Sequence, residues 1–361
     1  MKIKTFACIL FIVLLTSIAC AKKVEVKALY IPLADHYAAL VAYDRYAKDM
    51  KYADLKLQKM RNWDLLRSLF QEGRADMSFV MSPLAMDMFS EKPHFKWIGL
   101  MHRDGNALAI NEIINARVNL RKLREERKPD DKVAKAFADI YKETGNSIIV
   151  GLPHILSTHG VVLYRYLKEH GSSIALKANK NTDVLAITVA PPKAPSFIKK
   201  KSRKSIPAAF EQSLPWADIV ETGGYGKVAW YSKDVMPFKH GHIECIALAT
   251  NKAIKEKHKA IKEVMYYIHK AGADIEEAKR NGGAQLEAIV KIVCKYMPKH
   301  TAPAIRASLD IKLNVINFTH LNIDKPGLKQ IMDYAVEGKI LKQGIDIDSF
   351  ADDSFYIELK K

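Results

Sequence analysis

Potential metal ligands are concentrated in the segment His240-Gly241-His242-Ile243-Glu244-Cys245. If this segment is a strand, His240 and His242 lie on one face, because alternate strand residues point to the same side. Histidine, glutamate and cysteine all bind zinc, but the spacing is not one of the strong zinc signatures. Other histidines that could join them are His36, His154 and His159. We therefore predict no resident metal or cofactor, and keep His240 and His242 as weak candidates for a metal or metal-chelate binding protein.

Residue patterns that carry common enzyme chemistry are missing from the sequence. There is no G-x-S-x-G, H-E-x-x-H or C-x-x-C motif, and no phosphate loop ending in Lys-Ser/Thr. The glycine cluster at 223–226 is typical of a turn. The sequence therefore predicts a protein that is not an enzyme.

Residues 1–21 have the features of an export signal. Two lysines precede an apolar run over 6–18, and the small residues Ala19-Cys20-Ala21 follow it. The run is shorter than the roughly 20 residues that a membrane-spanning helix needs. Cleavage after Ala21 would release a free protein, whereas cleavage before Cys20 would leave a lipidated cysteine. We expect a protein of the periplasm or of the extracytoplasmic face of the membrane, free or lipid-anchored at Cys20.

The chain is strongly basic, with a formal net charge of +17. Such a charge attracts acidic surfaces or anionic solutes over long distances. Nucleic acid is a poor partner for an exported protein, and the lysines are spread along the chain, so we predict no nucleic-acid binding. The dense basic run at 199–204 indicates a solvated loop or an anion-attracting rim.

Two cysteines, Cys245 and Cys294, follow the signal. An oxidising compartment permits a disulfide between them, and two buried thiols are equally compatible with the sequence.

Strand-like and helix-like runs alternate after the signal, which predicts an α/β fold with largely parallel sheets. Predicted strands cover 24–31, 55–57, 77–81, 96–101, 107–110, 147–150, 184–189 and 242–249. Predicted helices cover 35–49, 62–73, 158–170 and 256–271, and a further helix opens at 82. The runs form one series near 24–110 and a second near 145–245, followed by a mostly helical tail.

This organisation predicts two lobes, since roughly 340 residues exceed the size at which single cores stop growing. We predict a signal peptide at 1–21, lobe 1 from 22–110 plus 246–361, and lobe 2 from 111–245. Ligand sites favour domain interfaces and the carboxyl ends of parallel strands. A cleft between the lobes is therefore the expected binding site.

Eight short motifs in sequence order resemble the nitrate/sulfonate/bicarbonate (taurine) family of periplasmic substrate-binding proteins of ABC importers, closest to the nitrate/bicarbonate branch. They are 28–35 (ALYIPLAD), 62–67 (NWDLLR), 73–76 (GRAD), 81–86 (MSPLAM), 105–110 (GNALAI), 153–159 (PHILSTH), 189–192 (VAPP) and 214–216 (LPW). The resemblance spans about residues 24–280. Two positions depart from the family pattern: Leu214 stands where a charged residue usually precedes the Pro-Trp pair, and His36 replaces a small polar residue.

The resemblance implies a two-lobed, type II periplasmic-binding-protein fold, each lobe a mainly parallel sheet flanked by helices. It also implies a monomeric receptor that closes on a small anionic or polar solute of the nitrate/bicarbonate/sulfonate class and delivers it to an inner-membrane ABC permease. The ligand-binding residues that it implies are Trp63, Ser82, Asn106 and His159, to which we add Trp216 and His36. The position of His159 at a predicted helix start suits anion binding, because a helix start offers free N–H groups and a positive dipole end to an anion.

Structural roles for these six residues stay open at the level of sequence. They are core packing for Trp63, a helix cap for Ser82, a turn for Asn106, a hydrogen-bonded structural role for His159, an interlobe strut for Trp216 and a surface or cap position for His36. A sensory receptor that feeds a signalling partner is a further alternative to import.

Overall fold

The computed structural model describes residues 23–176 and 182–359. The predicted signal peptide, with the lipidation candidate Cys20, lies outside the described residues. Among those residues, no helix has the length and apolar character needed to cross a membrane.

Strands and helices alternate over most of the described chain. The strands are β1 (Val24–Tyr30), β2 (Ala53–Lys59), β3 (Met77–Met81), β4 (Phe95–Leu100), β5 (Arg103–Asp104), β6 (Asn106–Asn111), β7 (Ile148–Leu152), β8 (Ile174–Ala175), β9 (Val184–Thr188), β10 (Ala208–Ser213), β11 (Gly226–Tyr231), β12 (Cys245–Thr250) and β13 (Ile316–Asn317). The helices are α1 (Tyr37–Tyr46), α2 (Trp63–Gln71), α3 (Ser82–Glu91), α4 (Glu112–Val118), α5 (Lys132–Thr144), α6 (Thr158–Glu169), α7 (Ala194–Arg203), α8 (Trp216–Thr222), α9 (Ser232–Val235), α10 (Asn251–Asn281), α11 (Gly283–Tyr296), α12 (Ala302–Ser308), α13 (Lys325–Glu337) and α14 (Ile347–Phe350).

The first sheet has the strand order β2-β1-β3-β12-β4. β1 is parallel to β2 and β3, and β12 runs antiparallel to β3 and β4. The central strands β3 and β12 are buried over their whole length. Continuous apolar runs such as Met77–Met81 are typical of strands covered on both faces.

The second sheet has the strand order β11-β6-β10-β7-β9-β8. β7 is parallel to β10 and β9, whereas β6 runs antiparallel to β10 and β11. β5 and β13 form a small separate pair. The predicted α/β fold with two sheet-based lobes is confirmed.

Two stretches of chain connect the sheets. The first lies between β4 and β6, and the second between β11 and β12. They run side by side: Met101 N–H donates to Cys245 O at 3.0 Å, and Asp104 N–H donates to His242 O at 3.0 Å. We call these two stretches the crossings.

The predicted lobe boundary at residue 110 placed β6 with the first lobe, but β6 pairs only within the second sheet. The division into lobes at 111 and 246 stays a prediction. The C-terminal helices return to both sheets, as α10 packs on α1 and β2 whereas α12 packs on α8. Cys245 and Cys294 are both free thiols.

Candidate functional site

A group of polar side chains is completely buried where the two sheets face each other. We call it the interlobe cluster. It consists of Asp35, His36, His102, His159, Glu211, Ser213, Glu244 and Cys245. Asp35 and His36 follow β1, and His159 is the second residue of α6. Glu211 and Ser213 lie on β10, and the other three members, His102, Glu244 and Cys245, lie on or beside the crossings. The cluster therefore combines side chains from both lobes and from the connection between them.

An ion-paired imidazole lies at the centre of the cluster. His102 Nε2 is 3.1 Å from Glu244 Oε2 and 3.6 Å from Asp35 Oδ1. Burial opposes charge on this ring, but the neighbouring carboxylates raise the pKa of His102 to about 10. In return, although burial opposes it, the imidazolium lowers the pKa of Asp35 to about 2. We therefore assign an imidazolium paired with a carboxylate.

Two further carboxyl groups lie in the cluster without a full set of partners. Burial and the nearby Asp35 charge raise the pKa of Glu244 to about 8. Burial also raises the pKa of Glu211 well above its usual range. Among the described residues, neither carboxyl oxygen of Glu211 has a hydrogen-bond partner, and Glu244 Oε1 has none. Near neutral pH both carboxyl groups therefore keep their protons, and the Asp35 carboxylate offsets the His102 imidazolium.

Lobe 2 contributes His159, which is positioned by a helix cap. The Ser157 hydroxyl accepts a hydrogen bond from Gly160 N–H at 3.1 Å and so fixes the start of α6. His159 Nε2 is 2.9 Å from Ser213 Oγ, and Ser213 Oγ donates to Asp35 Oδ2 at 3.0 Å. Burial lowers the pKa of His159 to about 3, so this ring is neutral.

Lobe 1 contributes His36, which contacts the crossing. His36 Nδ1 is 2.6 Å from Ile31 O, and Nε2 is 3.2 Å from Cys245 Sγ. A backbone carbonyl accepts, so Nδ1 carries the proton and Nε2 accepts from the thiol. Burial lowers the pKa of His36 to about 4 and raises the pKa of Cys245 well above its usual range. His36 is buried, so the surface alternative is wrong; the residue does stand at the N-cap position of α1, but its side chain makes no capping hydrogen bond.

Ser82 and Asn106 are both buried beside the cluster. Ser82 starts α3, its N–H donates to Glu244 O at 2.8 Å, and its hydroxyl is 3.4 Å from the Thr158 hydroxyl of lobe 2. Asn106 N–H donates to Ser232 Oγ at 3.2 Å, while neither atom of the Asn106 amide group has a partner among the described residues.

The two predicted tryptophans are both buried. Asn62 caps α2 by accepting from Leu65 N–H at 2.8 Å, which places Trp63 at the first helical position. The Trp63 indole N–H has no partner among the described residues. Trp216 Nε1–H donates to Pro32 O at 3.0 Å, so Trp216 bridges the lobes as the strut alternative predicted. Among the described residues, no hydrogen bond joins either indole to the interlobe cluster.

The weak metal candidates His240 and His242 do not form a pair. The strand begins only at Cys245, so the two rings are not held on one strand face. His240 is exposed and packs against His320, with ring centroids 4.0 Å apart. His242 is buried, with Nε2 2.8 Å from Ser232 Oγ. The prediction of a His240–His242 metal pair is therefore wrong.

Several residues of the cluster were not among the predicted site residues. They are Asp35, His102, Glu211, Ser213, Glu244 and Cys245. The signal that could have found two of them is an acid inside an otherwise apolar run: Asp35 ends ALYIPLAD, and Glu211 interrupts AAFEQS. A buried acid is expensive unless it is paired or functional, so such a position indicates a site.

A cavity of about 340 Å³ lies at the edge of the cleft, between Pro32, Trp216 and His300. Four exposed basic residues surround it: Lys59, Arg61, Lys193 and Lys299. Within the described part of the chain, none of these four forms an ion pair. We call this opening the mouth.

A family model describes most of this architecture. Residues 19–289 match the NMT1-like family, and the chain belongs to that family. Among curated proteins, no significant match was found.

Solved structures with the same fold include substrate-binding proteins. The ligand-binding component of an ABC-type import system from Staphylococcus aureus, with zinc bound, is 19% identical with a TM-score of 0.70, covering 92% of this chain and 97% of that one. The periplasmic nitrate-binding protein NrtA from Synechocystis PCC 6803 is 14% identical with a TM-score of 0.74, covering 92% and 87%. The periplasmic aliphatic sulphonate-binding protein SsuA from Escherichia coli is 13% identical with a TM-score of 0.62, covering 93% and 94%.

An enzyme also has this fold. The desulfurization enzyme DszB is 10% identical with a TM-score of 0.59, covering 92% of this chain and 97% of that one. At such identities the likeness concerns the fold, so function must be argued from the site.

Proposed function

We propose that this protein is the extracytoplasmic solute-binding protein of an ABC importer and captures a small polar solute at the interlobe cluster. The observation that carries the proposal is the set of buried polar atoms without partners where the lobes meet. Buried polar groups are normally hydrogen-bonded. Asn106, Glu211 and Glu244 each leave at least one such atom unpaired among the described residues. A polar solute would satisfy these atoms.

Hinge closure is the proposed mechanism. Asp35 and Ser82 approach the solute from lobe 1, and His159 and Ser213 approach it from lobe 2. A solute that contacts both sets binds the closed form better than the open form, and this difference in affinity shifts the population toward closure. Trp63 and Trp216 form apolar walls that exclude water from the cleft.

The charge of the cluster narrows the proposed solute class. The Asp35 carboxylate offsets the His102 imidazolium, and burial keeps Glu211 and Glu244 protonated near neutral pH. The unpaired oxygens of Asn106, Glu211 and Glu244 accept hydrogen bonds from a solute, and the two protonated carboxyl groups can also donate them. A polar solute that both donates and accepts hydrogen bonds therefore fits better than a bare anion. The basic mouth still attracts anionic groups over long range, so an anion stays in the test panel.

The proposed cellular location and partners are those expected from the NMT1-like family and from the periplasmic proteins with the same fold. We propose a monomer that is exported by the signal at 1–21, is free or anchored at Cys20, and delivers its solute to a permease of the inner membrane. No catalytic step is proposed.

The test is thermal denaturation of the exported protein with a panel of solutes. The panel contains nitrate, bicarbonate, alkanesulfonates, ammonium compounds, aminopyrimidines and divalent metals. Anything that binds only the folded state raises the melting temperature by mass action. We expect one class to raise it, and small-angle X-ray scattering to show compaction with that class.

Paired variants locate the site. His159→Ala removes the lobe 2 imidazole and should weaken binding, whereas His258→Ala, on the outer helix α10, should leave the affinity unchanged. Equal binding in both variants would remove the site from the cluster. A melting temperature that no member of the panel shifts would contradict the proposed role.

A further inference from the structure

We propose that the solute is a divalent transition metal of the zinc class, bound by Asp35, His36, Glu244 and Cys245. This inference rests on the proposed function and names the solute of the same site. The four residues supply two carboxylate oxygens, one imidazole nitrogen and one sulfur.

The donor atoms are already close enough to share one ion. The ligand atoms of Asp35, Glu244 and Cys245 all lie within 4.8 Å of one another. His36 Nε2 is 3.2 Å from Cys245 Sγ. Zinc–ligand bonds of about 2.0–2.3 Å in a tetrahedron place ligand atoms roughly 3.5 Å apart. A single ion therefore needs only small side-chain movements to reach all four.

The donors are oriented by the contacts that metal ligands usually have. His36 Nδ1–H donates to Ile31 O, which leaves Nε2 free to coordinate. Asp35 Oδ2 accepts from the Ser213 hydroxyl, while Glu244 Oε2 faces His102 Nε2 at 3.1 Å. Such outer contacts fix the tautomer and the direction of each ligand.

Unpaired atoms point to a cation. Asp35 Oδ1 and Glu244 Oε1 have no hydrogen-bond partner among the described residues, although both side chains are fully buried. His159 Nδ1 is also unpartnered there and lies 3.6 Å from Glu244 Oε1. His102 Nε2, at 3.6 Å from Asp35 Oδ1, is too far away for a hydrogen bond. A metal ion would give Asp35 Oδ1 and Glu244 Oε1 a shared partner, and His159 is placed to join as a further ligand from lobe 2.

The mixture of donor types selects the metal. Magnesium and calcium prefer shells made only of oxygen, whereas nitrogen and thiolate ligands favour zinc and its neighbours. Binding replaces the Cys245 S–H bond by a metal–sulfur bond and releases that proton to solvent. We therefore expect binding to release protons and to discriminate strongly against magnesium and calcium.

Cobalt(II) provides a spectroscopic probe for the thiolate. The exported protein, freed of metal with a chelator, is titrated with cobalt and then zinc, and the magnesium titration is run beside them. We expect a sulfur-to-cobalt charge-transfer band that zinc abolishes. Zinc should also raise the melting temperature, and magnesium should not.

Two cysteine variants form a matched pair. Cys245→Ser should abolish the charge-transfer band and weaken zinc binding by more than the roughly 10- to 100-fold that loss of an outer-shell partner costs. Cys294→Ser, which changes the other free cysteine, should leave both unchanged. Asp35→Asn provides a second site variant if Cys245→Ser does not fold, and it should weaken zinc binding while the cobalt–sulfur band persists.

The outcomes separate this inference from the proposed function. Zinc binding that is equal in Cys245→Ser and Cys294→Ser would overturn the site. A melting temperature raised by an organic or anionic solute and not by zinc would overturn the metal while supporting the receptor. If no solute and no metal raised the melting temperature, both the metal site and the proposed receptor function would be contradicted.

Discussion

At the scale of single residues, the protein buries several histidines in the neutral state. His269 on α10 is a clear example, because its ring is buried and Nε2 has no partner among the described residues. Burial alone lowers the pKa of His269 to about 4. His300, which faces Tyr37 and Pro32, has its pKa lowered to about 3 by burial. As the pH falls, such a ring therefore becomes protonated at a higher pH in the unfolded chain than in the native protein.

This difference predicts acid sensitivity that one substitution should reduce. The unfolded chain binds a proton at His269 below about pH 6.5 and the folded chain only below about 4, so stability is lost as pH falls through that window and is unaffected above it. Between pH 7 and pH 5 the loss is on the order of 1–2 kcal/mol for this one group. Between pH 7 and pH 5, the melting temperature of His269→Leu should therefore fall less than that of the wild type.

The control for this prediction is His258→Leu on the same helix. His258 is half-buried and contacts Ser354, so its substitution should leave the acid response near that of the wild type. Parallel curves for all three proteins in calorimetry at pH 7, 6 and 5 would contradict the assigned role of burial.

Residue identity alone did not show which acids belong to the site. In the sequence, Asp35 is only the first residue of the predicted helix over 35–49, because aspartate is common at helix starts and its neighbours on β10 are remote along the chain. The partners that define its role, Ser213 and His102, become neighbours only through the fold. By contrast, His159 and Ser82 lie in local motifs, and their placement at the cleft could be predicted.

At the scale of elements, a carboxylate on α10 secures the edge of the first sheet. Glu263 accepts from the backbone N–H groups of Lys51, Tyr52 and Ala53 at 2.6, 2.7 and 2.9 Å. Ala53 is the first residue of β2, which is an edge strand of the first sheet. Glu263 therefore supplies an acceptor to backbone N–H groups at the start of this edge strand. Hydrogen bonds to a charged acceptor are worth more than neutral ones.

Glu263→Gln should destabilise the protein by about 1–3 kcal/mol, because an amide offers one acceptor oxygen and no charge to three donors. The change should lower the denaturation midpoint without altering solute affinity, because α10 lies outside the cleft. Glu256→Gln, an exposed position on the same helix, is the control. Equal midpoints for the two variants in urea denaturation would show that the three hydrogen bonds contribute nothing measurable.

Most elements of the first lobe could be predicted because each has a local pattern. β3 is an apolar run and α2 begins at a capping Asn62, and both predictions are confirmed. β10 and β11 were missed. β10 reads AAFEQS, and its polar residues conceal a strand buried at every position. Those same polar residues supply Glu211 and Ser213 to the cluster, so the strand and these two site residues were missed together.

At the scale of the whole molecule, the lobes are held together by polar contacts as well as by the chain. His154 on lobe 2 is 3.2 Å from Asp64 on lobe 1, and Lys168 pairs with Glu337. Trp216 adds its hydrogen bond to Pro32 and an edge contact to His300, with ring centroids 4.9 Å apart. These contacts favour the closed arrangement even without a solute.

Trp216→Phe should shift the solute-free protein toward open forms, because it removes one interlobe hydrogen bond. The expected result is a larger radius of gyration in scattering, restored by saturating solute. Trp97→Phe is the matched control, since Trp97 Nε1–H also donates to a carbonyl, that of Gly99 at 2.9 Å, but within lobe 1. Expansion of both variants, or of neither, would contradict a specific effect of the interlobe bond.

The position of the crossings decides the order of events during capture. Glu244 lies on a crossing, Cys245 opens β12 directly after it, and Asp35 and His36 lie beside it, so all four are close to the axis about which the lobes would rotate. Displacement grows with distance from that axis, so residues 190–193 at the mouth move farther than the four ligand residues. Under the proposed hinge closure, a ligand can be held while the entrance is still open, and we expect capture to precede closure. Stopped-flow traces should then contain a first phase whose rate rises with ligand concentration and a second phase whose rate does not.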